Sequence, residues 1–123
     1  MKKIKKYEEI INAEESVNLK EVGVNPRLYW AYRECMEETG NELIDFSDMF
    51  LDSDVKDIVK EIKEYGIKEF TISSNMSSMV QTLAEFDKLG VKMQGLVEIN
   101  SRFTRITSDE LRKIPAIKMV VEK

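Results

Sequence analysis

The sequence predicts an α/β fold: a small sandwich of about four mostly parallel strands with a βαβαβ core, an antiparallel C-terminal strand and two N-terminal helices. Helical and strand-like apolar patterns alternate after residue 40, which favours parallel pairing through right-handed crossovers. Several strands alternate apolar and polar residues, which is typical of a sheet with one less covered face. A chain of 123 residues fits one domain. We divide it into a helical part, 1–40, and a βαβαββ part, 41–123.

The two N-terminal helices are predicted from apolar spacing and from end signals. Apolar side chains recur at helical spacing in residues 4–14. The second helix begins with Asn25 as N-cap and Pro26 at the first helical position, and Gly40 follows its end. These end signals predict a helix of about four turns.

The segment after residue 40 alternates between strand and helix patterns. The stretch NELIDF, residues 41–46, predicts a short strand. A helix over residues 54–65 has one apolar stripe, with Ser53 as its cap and Gly66 at its end. The stretch IKEFTISS, residues 67–74, predicts the next strand. Each of these strands is therefore followed by a polar turn.

The C-terminal third contains the clearest strand. A helix is predicted over residues 76–89, ending at Gly90. The strand VKMQGLVEIN, residues 91–100, follows it, and strict alternation places on one face Val91, Met93, Val97 and Ile99. The last strand is AIKMVVE, residues 116–122. We expect it to run antiparallel at an edge or beside the strand of residues 91–100.

Composition excludes several function classes. The chain has no histidine, which removes Ser-His and Cys-His nucleophile pairs and nearly every zinc site. Cys35 is the single cysteine, so an internal disulfide is impossible. No apolar run approaches 18 residues and no signal peptide is recognised, so we expect a cytoplasmic protein with no membrane contact. No cofactor is predicted.

The polar turn in SSNMSS raises the first site hypothesis. Ser73, Ser74 and Asn75 follow a predicted strand and precede a helix. Ligands of open parallel sheets bind at the carboxyl ends of strands, and helix N-termini favour anions. The stretch has no glycine, which phosphate loops use for close backbone approach. Helix capping by Ser74 or Asn75, or by Ser78 with Gln81, explains it without a ligand.

An acidic turn raises the second hypothesis. Asp45, Asp48, Asp52 and Asp54 lie in IDFSDMFLDSD after the first strand. Carboxylates at a strand end can hold Mg²⁺, and Asp45 with Asp48 is the pair we consider. The spacing matches no Ca²⁺ loop, and negative charge at a helix start is favourable without any metal.

The aromatic helix raises the third hypothesis. At about 100° per residue, its apolar face contains Leu28, Ala31, Tyr32 and Cys35. Trp30 points away from this face, towards the charged residues Arg27, Arg33, Glu34 and Glu37. The indole either packs under the N-terminal helix or anchors a partner, since Trp and Arg are enriched in interface hot spots. Cys35 is read as a small core residue and not as a nucleophile.

Residues 101–115 are predicted to be an exposed connection with a helical turn capped by Ser108. Arg102, Phe103 and Arg105 could stack on a base or hold a carboxylate. Arg102 should lie near the end of the preceding strand, so we add it to the anion hypothesis with Ser74 and Asn75.

Three long segments carry a family resemblance: NPRLYWAYRECMEETGNELIDF, EFTISSNMSSMVQTLAEF and GLVEINSRF. Together they resemble a family of small uncharacterised proteins, a domain of unknown function, encoded on conjugative and other mobile elements of Gram-positive bacteria. The likeness covers most of the chain, but it is a likeness of segments and not of a catalytic motif. It implies an accessory role in the element's maintenance or its dealings with the host.

Two main readings of function remain open, with a third beside them. The first is a non-enzymatic module that binds another protein or itself through Trp30, Arg27 and Arg33. The second is a ligand- or Mg²⁺-dependent enzyme at the strand ends. The third is nucleic-acid binding through the basic cluster of residues 1–6 with Arg102 and Arg105, and the net charge of −4 argues against it.

Overall fold

In the computed structural model the described parts of the chain are residues 3–13, 15–48, 50–75, 77–107 and 110–122. They form four α-helices, α1 (Lys5–Ile11), α2 (Pro26–Glu34), α3 (Val55–Glu64) and α4 (Met79–Lys88). The strands are β1 (Asp45–Phe46), β2 (Glu69–Ile72), β3 (Val91–Arg105) and β4 (Leu111–Val121). None of the helices in these ranges is long and apolar enough to cross a bilayer.

The four strands form one mixed sheet in the order β1-β2-β4-β3. Only β1 and β2 are parallel, so the prediction of mostly parallel strands is wrong. The reason is the hairpin that joins β3 to β4: it inserts β4 between β2 and β3, antiparallel to both. The predicted antiparallel C-terminal strand is confirmed; of its two predicted positions, the one beside β3 is right and the one at an edge is wrong.

The hairpin also replaces most of the predicted connection over residues 101–115. β3 continues to Arg105 and β4 begins at Leu111, so both strands extend beyond the end of β2. Pro115 pairs with Glu98, at a level where β4 has β3 on one side and no β2 on the other. A proline in a strand is tolerated where one side of the strand lacks a ladder partner. The predicted cap Ser108 lies outside the described residues.

A β-bulge changes the predicted faces of β3. The register moves from Met93 opposite Met119 to Gly95 opposite Lys118, so Gln94 is an extra residue. An extra residue reverses the alternation beyond it. The predicted common face is therefore wrong: Val91 and Met93 share a face with Met119, whereas the other two members, Val97 and Ile99, pair with Ala116 and Ile114 on the opposite face.

The helix ends agree with the sequence in part. Asn25 caps α2, and the predicted C-terminal half of this helix widens into a π-helix, Cys35–Thr39, closed by Gly40 at φ +66°. Ser53 does not cap α3, since it lies within a 3₁₀ turn whose start is held by Asp54 Oδ2 accepting from the Leu51 N–H at 2.9 Å. Ser78 occupies the N-cap position of α4 without a side-chain hydrogen bond.

One hydrophobic core connects the helices to the sheet. It includes side chains from α1, α2, α3 and α4 together with Phe46, Phe70, Ile72, Val91 and Met119 of the strands. Tyr7 of α1 lies on the side of the core that the helices form. Its ring centroid is 5.2–5.4 Å from the ring centroids of Tyr29, Tyr32 and Tyr65. The helices thus pack on the sheet face that carries Phe70 and Ile72. The side of α2 that faces away from this core carries exposed side chains, among them Trp30.

Candidate functional site

The orientation of α2 determines which side chains reach the surface. Asn25 Oδ1 accepts from the backbone N–H groups of Arg27 at 2.9 Å and Leu28 at 3.2 Å, which fixes the start of the helix. Leu28, Ala31 and Tyr32 are buried, as the helical spacing predicts. Trp30 points outward and is 49% exposed, so the predicted orientation of this tryptophan is confirmed.

The exposed indole is held in place by its neighbours. The guanidinium of Arg33 lies 5.2 Å from the Trp30 ring centroid, within the range of a cation–π contact. Tyr29 packs edge-on against the indole at 5.3 Å. Arg33 is itself fixed by two hydrogen bonds of 2.6 Å to Glu37, which raise the pKa of Arg33 and lower that of Glu37. The indole is therefore held in place by contacts within the chain.

Trp30 forms one wall of a cavity of about 330 Å³, which we call the Trp30 cavity. Phe46 at the end of β1 and Phe50 in the following loop line it from below; both are buried, with ring centroids 5.5 Å apart. Ala31 adds a small apolar side chain. Its polar lining residues are Arg27, Glu34, Ser47 and Asp48. The cavity is thus lined by both aromatic and charged side chains.

The hairpin places the guanidinium of Arg102 beside two carboxylates that line this cavity, those of Glu34 and Asp48. Arg102 Nη1 lies 2.7 Å from Glu34 Oε1 and 3.6 Å from Asp48 Oδ1, and its Nε lies 3.0 Å from Glu38 Oε2. Asn41 holds the hairpin nearby, because its side chain bonds both the N–H and the carbonyl of Asn100. One guanidinium therefore faces three carboxylates.

Glu34 is the most buried of these carboxylates. Its Oε2 accepts from the Ser47 hydroxyl at 2.8 Å, while Oε1 faces Arg102. Burial raises the pKa of Glu34, and the hydrogen bond from Ser47 and the charge of Arg102 oppose that rise. The Glu34 carboxyl group is thus held by Ser47 and Arg102 between the Trp30 cavity and the hairpin.

Two further cavities meet at the same tryptophan. One, of about 300 Å³, lies between α2 and the hairpin and contains the groups around Arg102. The other, of about 400 Å³, lies between Trp30 and the segment after α1, with Ile10 and Leu19 in its lining. Trp30 is therefore the shared wall of three concave surfaces.

The structure brings together residues that the sequence assigned to separate hypotheses. Trp30, Arg27 and Arg33 were predicted as a protein interface, Arg102 as part of an anion site, and Asp48 as part of a metal site. All five line the Trp30 cavity or the adjacent cavity of about 300 Å³. They therefore belong to one surface around α2.

Asp45 lies apart from this surface. It is buried, and its two carboxylate oxygens accept from the hydroxyls of Thr71 at 2.7 Å and Ser73 at 2.5 Å. Burial raises the pKa of Asp45, and these hydrogen bonds oppose the rise. Asp48 engages Arg102 instead. Within the described ranges, no group of three or more His, Cys, Asp or Glu side chains is placed to hold a metal ion.

Ser74 and Asn75 lie at the end of β2, away from Arg102. The backbone N–H groups of Ser73 and Ser74 both donate to the Phe46 carbonyl at 3.1 Å. The Ser74 hydroxyl is buried without a hydrogen-bond partner, and Asn75 is exposed. Neither residue lines a cavity that contains Arg102. The three residues predicted for an anion site are therefore not brought into one cavity.

Cys35 lies in the interior, as the helical spacing predicts. Its Sγ donates to the carbonyls of Asn41 and Leu43. Burial raises the pKa of this thiol to about 11, which keeps it protonated near neutral pH. For the nucleic-acid reading, residues 1 and 2 and the side chain of Arg105 lie outside the described parts.

Sequence reasoning missed the aromatic lining of the cavity and the ion pairs of Arg102; it placed Glu34 on the Trp30 side of the helix but not beside Arg102. Phe46 and Phe50 flank the acidic turn, and we considered only the aspartates there. Glu34 and Glu38 follow Trp30 at i+4 and i+8, so they share its side of the helix. Their pairing with Arg102 depends on the hairpin, which no local signal in residues 101–115 predicts.

Comparisons with known proteins identify the family of the chain. Residues 27–121 match the family described as a domain of unknown function (DUF7698). No curated protein and no solved structure matches the chain. The matched range begins within the first turn of α2 and includes Trp30 and every charged residue assigned above to the surface around it. The chain belongs to the family of this domain of unknown function.

Proposed function

We propose that this chain is a non-enzymatic module that binds another protein, or a second copy of itself, through the surface centred on Trp30. The observation that carries the proposal is the half-exposed indole, fixed by Arg33 and Tyr29 at the junction of three cavities. Large aromatic side chains beside arginines dominate the energetics of protein interfaces. A surface that is already ordered loses less conformational entropy on binding.

The proposal includes the setting in which the module works. We place the chain in the cytoplasm. We also propose that residues 1–123 form one domain, since one core contains side chains of both the helical part and the sheet part. The family resemblance supports an accessory role for a mobile element, either in its maintenance or in its dealings with the host. The binding surface would serve that role by recruiting a protein of the element or of the host.

The experiment is an affinity pull-down with three forms of the protein: native, Trp30→Glu and Met36→Glu. Met36 is the matched control, because it is a large exposed apolar side chain on the π-helical continuation of α2 and lines none of the three cavities. A retained protein is purified and its affinity for each form is measured. Loss of binding with Trp30→Glu and retention with Met36→Glu supports the proposal. Equal binding by all three forms contradicts it.

Self-association has its own readout. Light scattering of native protein and of Trp30→Glu over a range of concentrations reports the mass of each form. A dimer that is present in the native protein and absent in Trp30→Glu identifies the partner as a second copy. A dimer in both forms means that another surface mediates it.

A second candidate function is a small-ligand or Mg²⁺-dependent enzyme at the carboxyl ends of β1 and β2. The observation that favours it is the buried Ser74 hydroxyl without a partner, next in sequence to Ser73, whose hydroxyl donates to the buried Asp45 carboxylate. Amide chemical shifts of Ser74 and Asn75 on addition of MgCl₂ and of adenosine triphosphate test this candidate. Unchanged shifts at millimolar ligand would exclude these two ligands at that position.

A further inference from the structure

We infer that the Trp30 cavity takes a peptide segment of the partner that carries an apolar side chain next to a basic residue. This inference rests on the proposed function and adds the chemistry of the partner. It follows from the size and lining of the cavity and from the distribution of charge around it.

The interior of the cavity selects an apolar group. Its volume of about 330 Å³ is enough for one or two side chains of the partner, and its walls are Trp30, Phe46 and Phe50. Phe46 and Phe50 are buried and pack on the core, so the base of the cavity is rigid. An inserted apolar side chain would remove the exposed part of the Trp30 indole from water, which is the main driving force of such contacts.

The acidic end of the cavity selects a basic neighbour. Four carboxylates, those of Glu34, Glu37, Glu38 and Asp48, line the adjacent cavity, together with only two guanidiniums, those of Arg33 and Arg102. This adjacent cavity thus has two more carboxylates than guanidiniums, and with Arg27 of the Trp30 cavity included the two cavities together have one more. Arg33 is bonded to Glu37, and Arg102 makes its shorter contacts with Glu34 and Glu38.

Asp48 is the carboxylate that remains available. Its side chain is 55% exposed, and its ion pair with Arg102 is the longest of the three at 3.6 Å. It lines both the Trp30 cavity and the adjacent acidic cavity. A lysine or arginine next to an apolar side chain seated in the Trp30 cavity would therefore reach Asp48. A phosphate or an acidic segment would meet the same carboxylates and be repelled.

Arg27 also lines the Trp30 cavity. It is exposed, and the described residues provide it with no ion-pair partner. Its guanidinium can donate to carbonyl oxygens of the bound segment. The lining of the cavity thus includes aromatic side chains, the Asp48 carboxylate and the Arg27 guanidinium as a hydrogen-bond donor.

Trp30 allows a direct test, because it is the only tryptophan in the chain and its fluorescence reports on the cavity. The probes are two pools of nonapeptides without Trp or Tyr. Both have Leu, Met or Phe at the centre among Ala, Ser and Gly; one pool has Lys or Arg beside the centre and the other has Glu. Each pool is titrated into the full chain, and the change in Trp30 fluorescence gives the apparent affinity.

We expect the basic pool to bind more tightly than the acidic pool. Asp48→Asn should weaken binding of the basic pool about threefold to fivefold, the value of one partly exposed ion pair. Asp52→Asn is the matched control: Asp52 is exposed, lies in the 3₁₀ turn before α3 and lines neither of these cavities. It should leave the affinity unchanged.

Three outcomes would overturn the inference. They are equal or tighter binding of the acidic pool, no response to either pool, and a fluorescence change that depends on protein concentration without peptide, which would assign the cavity to a second copy. The pull-down with Trp30→Glu separates this failure from failure of the proposed function. A purified partner that needs Trp30 but carries no basic residue at the contact would refute the inference and leave the function standing.

Discussion

Tyr7 of α1 donates its hydroxyl to Glu61 Oε1 on α3 at 2.6 Å, and both side chains are buried. The second oxygen, Oε2, accepts from the backbone N–H of Asn25 at 2.7 Å. One carboxylate therefore joins α1, the start of α2 and α3. These two hydrogen bonds position α2, the helix that carries Trp30. The free energy that they contribute to folding therefore affects the candidate site as well as the fold.

Removing the Tyr7 hydroxyl should destabilise the protein. Tyr7→Phe keeps the ring and leaves Glu61 Oε1 buried without its donor, at a cost of about 1–3 kcal/mol in the free energy of unfolding. Urea denaturation measures the change. Tyr65→Phe is the control, because the ring centroids of Tyr65 and Tyr7 are 5.2 Å apart and Tyr65 is only half-buried. The control should change stability by less than about 0.5 kcal/mol. Equal effects of the two substitutions would show that the Glu61 contact is not the cause.

The stability contribution of Glu61 should depend on pH. Burial raises the pKa of Glu61 above the value of about 4.3 of an exposed glutamate. The folded state therefore binds this proton more tightly than the unfolded state does. The contribution is fully present below about pH 4 and is lost as the pH rises through the folded pKa.

The measurement compares native protein with Glu61→Gln in urea at several pH values between 4 and 8. Other titrating groups, including Glu37 with its lowered pKa, cancel in the difference between the two proteins. We expect the stability of the native protein relative to Glu61→Gln to decrease with rising pH. A difference that is constant or that grows with pH would show that the folded pKa is not raised.

The ion pair between Arg102 and Glu34 should stabilise the hairpin. Arg102→Gln leaves a largely buried carboxylate without its cation, and we expect a loss of about 1–3 kcal/mol in the free energy of unfolding. In a Glu34→Gln background the same substitution should cost less, since no charge is then left unpaired. A double-mutant cycle in urea measures this coupling.

The control for the cycle is Arg112→Gln on β4. Arg112 is exposed on the same hairpin, and no ion pair to it is recorded among the described residues. Its loss should change stability by less than about 0.5 kcal/mol. A coupling energy near zero between Arg102 and Glu34 would mean that the hairpin is held by other contacts, such as those of Asn41.

The sequence predicts the helices and the orientation of Trp30 well, because both depend on local periodicity and on end signals such as Asn25. Sheet order depends instead on which strands meet in space. The hairpin over residues 101–115 has no Asn-Gly or Asp-Gly turn signal, and its Pro115 argues against a central strand. The contact between Arg102 and α2 follows from that hairpin, so the assembled site could not be predicted before the topology was known.

The prediction of which β3 side chains share a face failed for a different reason. Strict alternation is a sound rule for a regular strand, but Gln94 is an extra residue and reverses the pattern. Gly95 was the available signal, since a glycine within a strand pattern often marks a bulge. It adopts φ +145°, which residues with a side chain rarely adopt.

Replacing Gly95 should therefore test the bulge directly. No atom lies within 4 Å of the position that a Cβ would occupy, so Gly95→Ala introduces backbone strain without a collision. We expect a loss of about 1–3 kcal/mol and faster hydrogen exchange at Val97 and Ile99, which lie just beyond the bulge. Gln94→Ala changes the neighbouring exposed side chain and should leave both readouts nearly unchanged. If Gly95→Ala is as stable as the native protein, the bulge does not require this backbone conformation, and the reversed faces of β3 must be maintained by the packing of Val97 and Ile99 against Ala116 and Ile114.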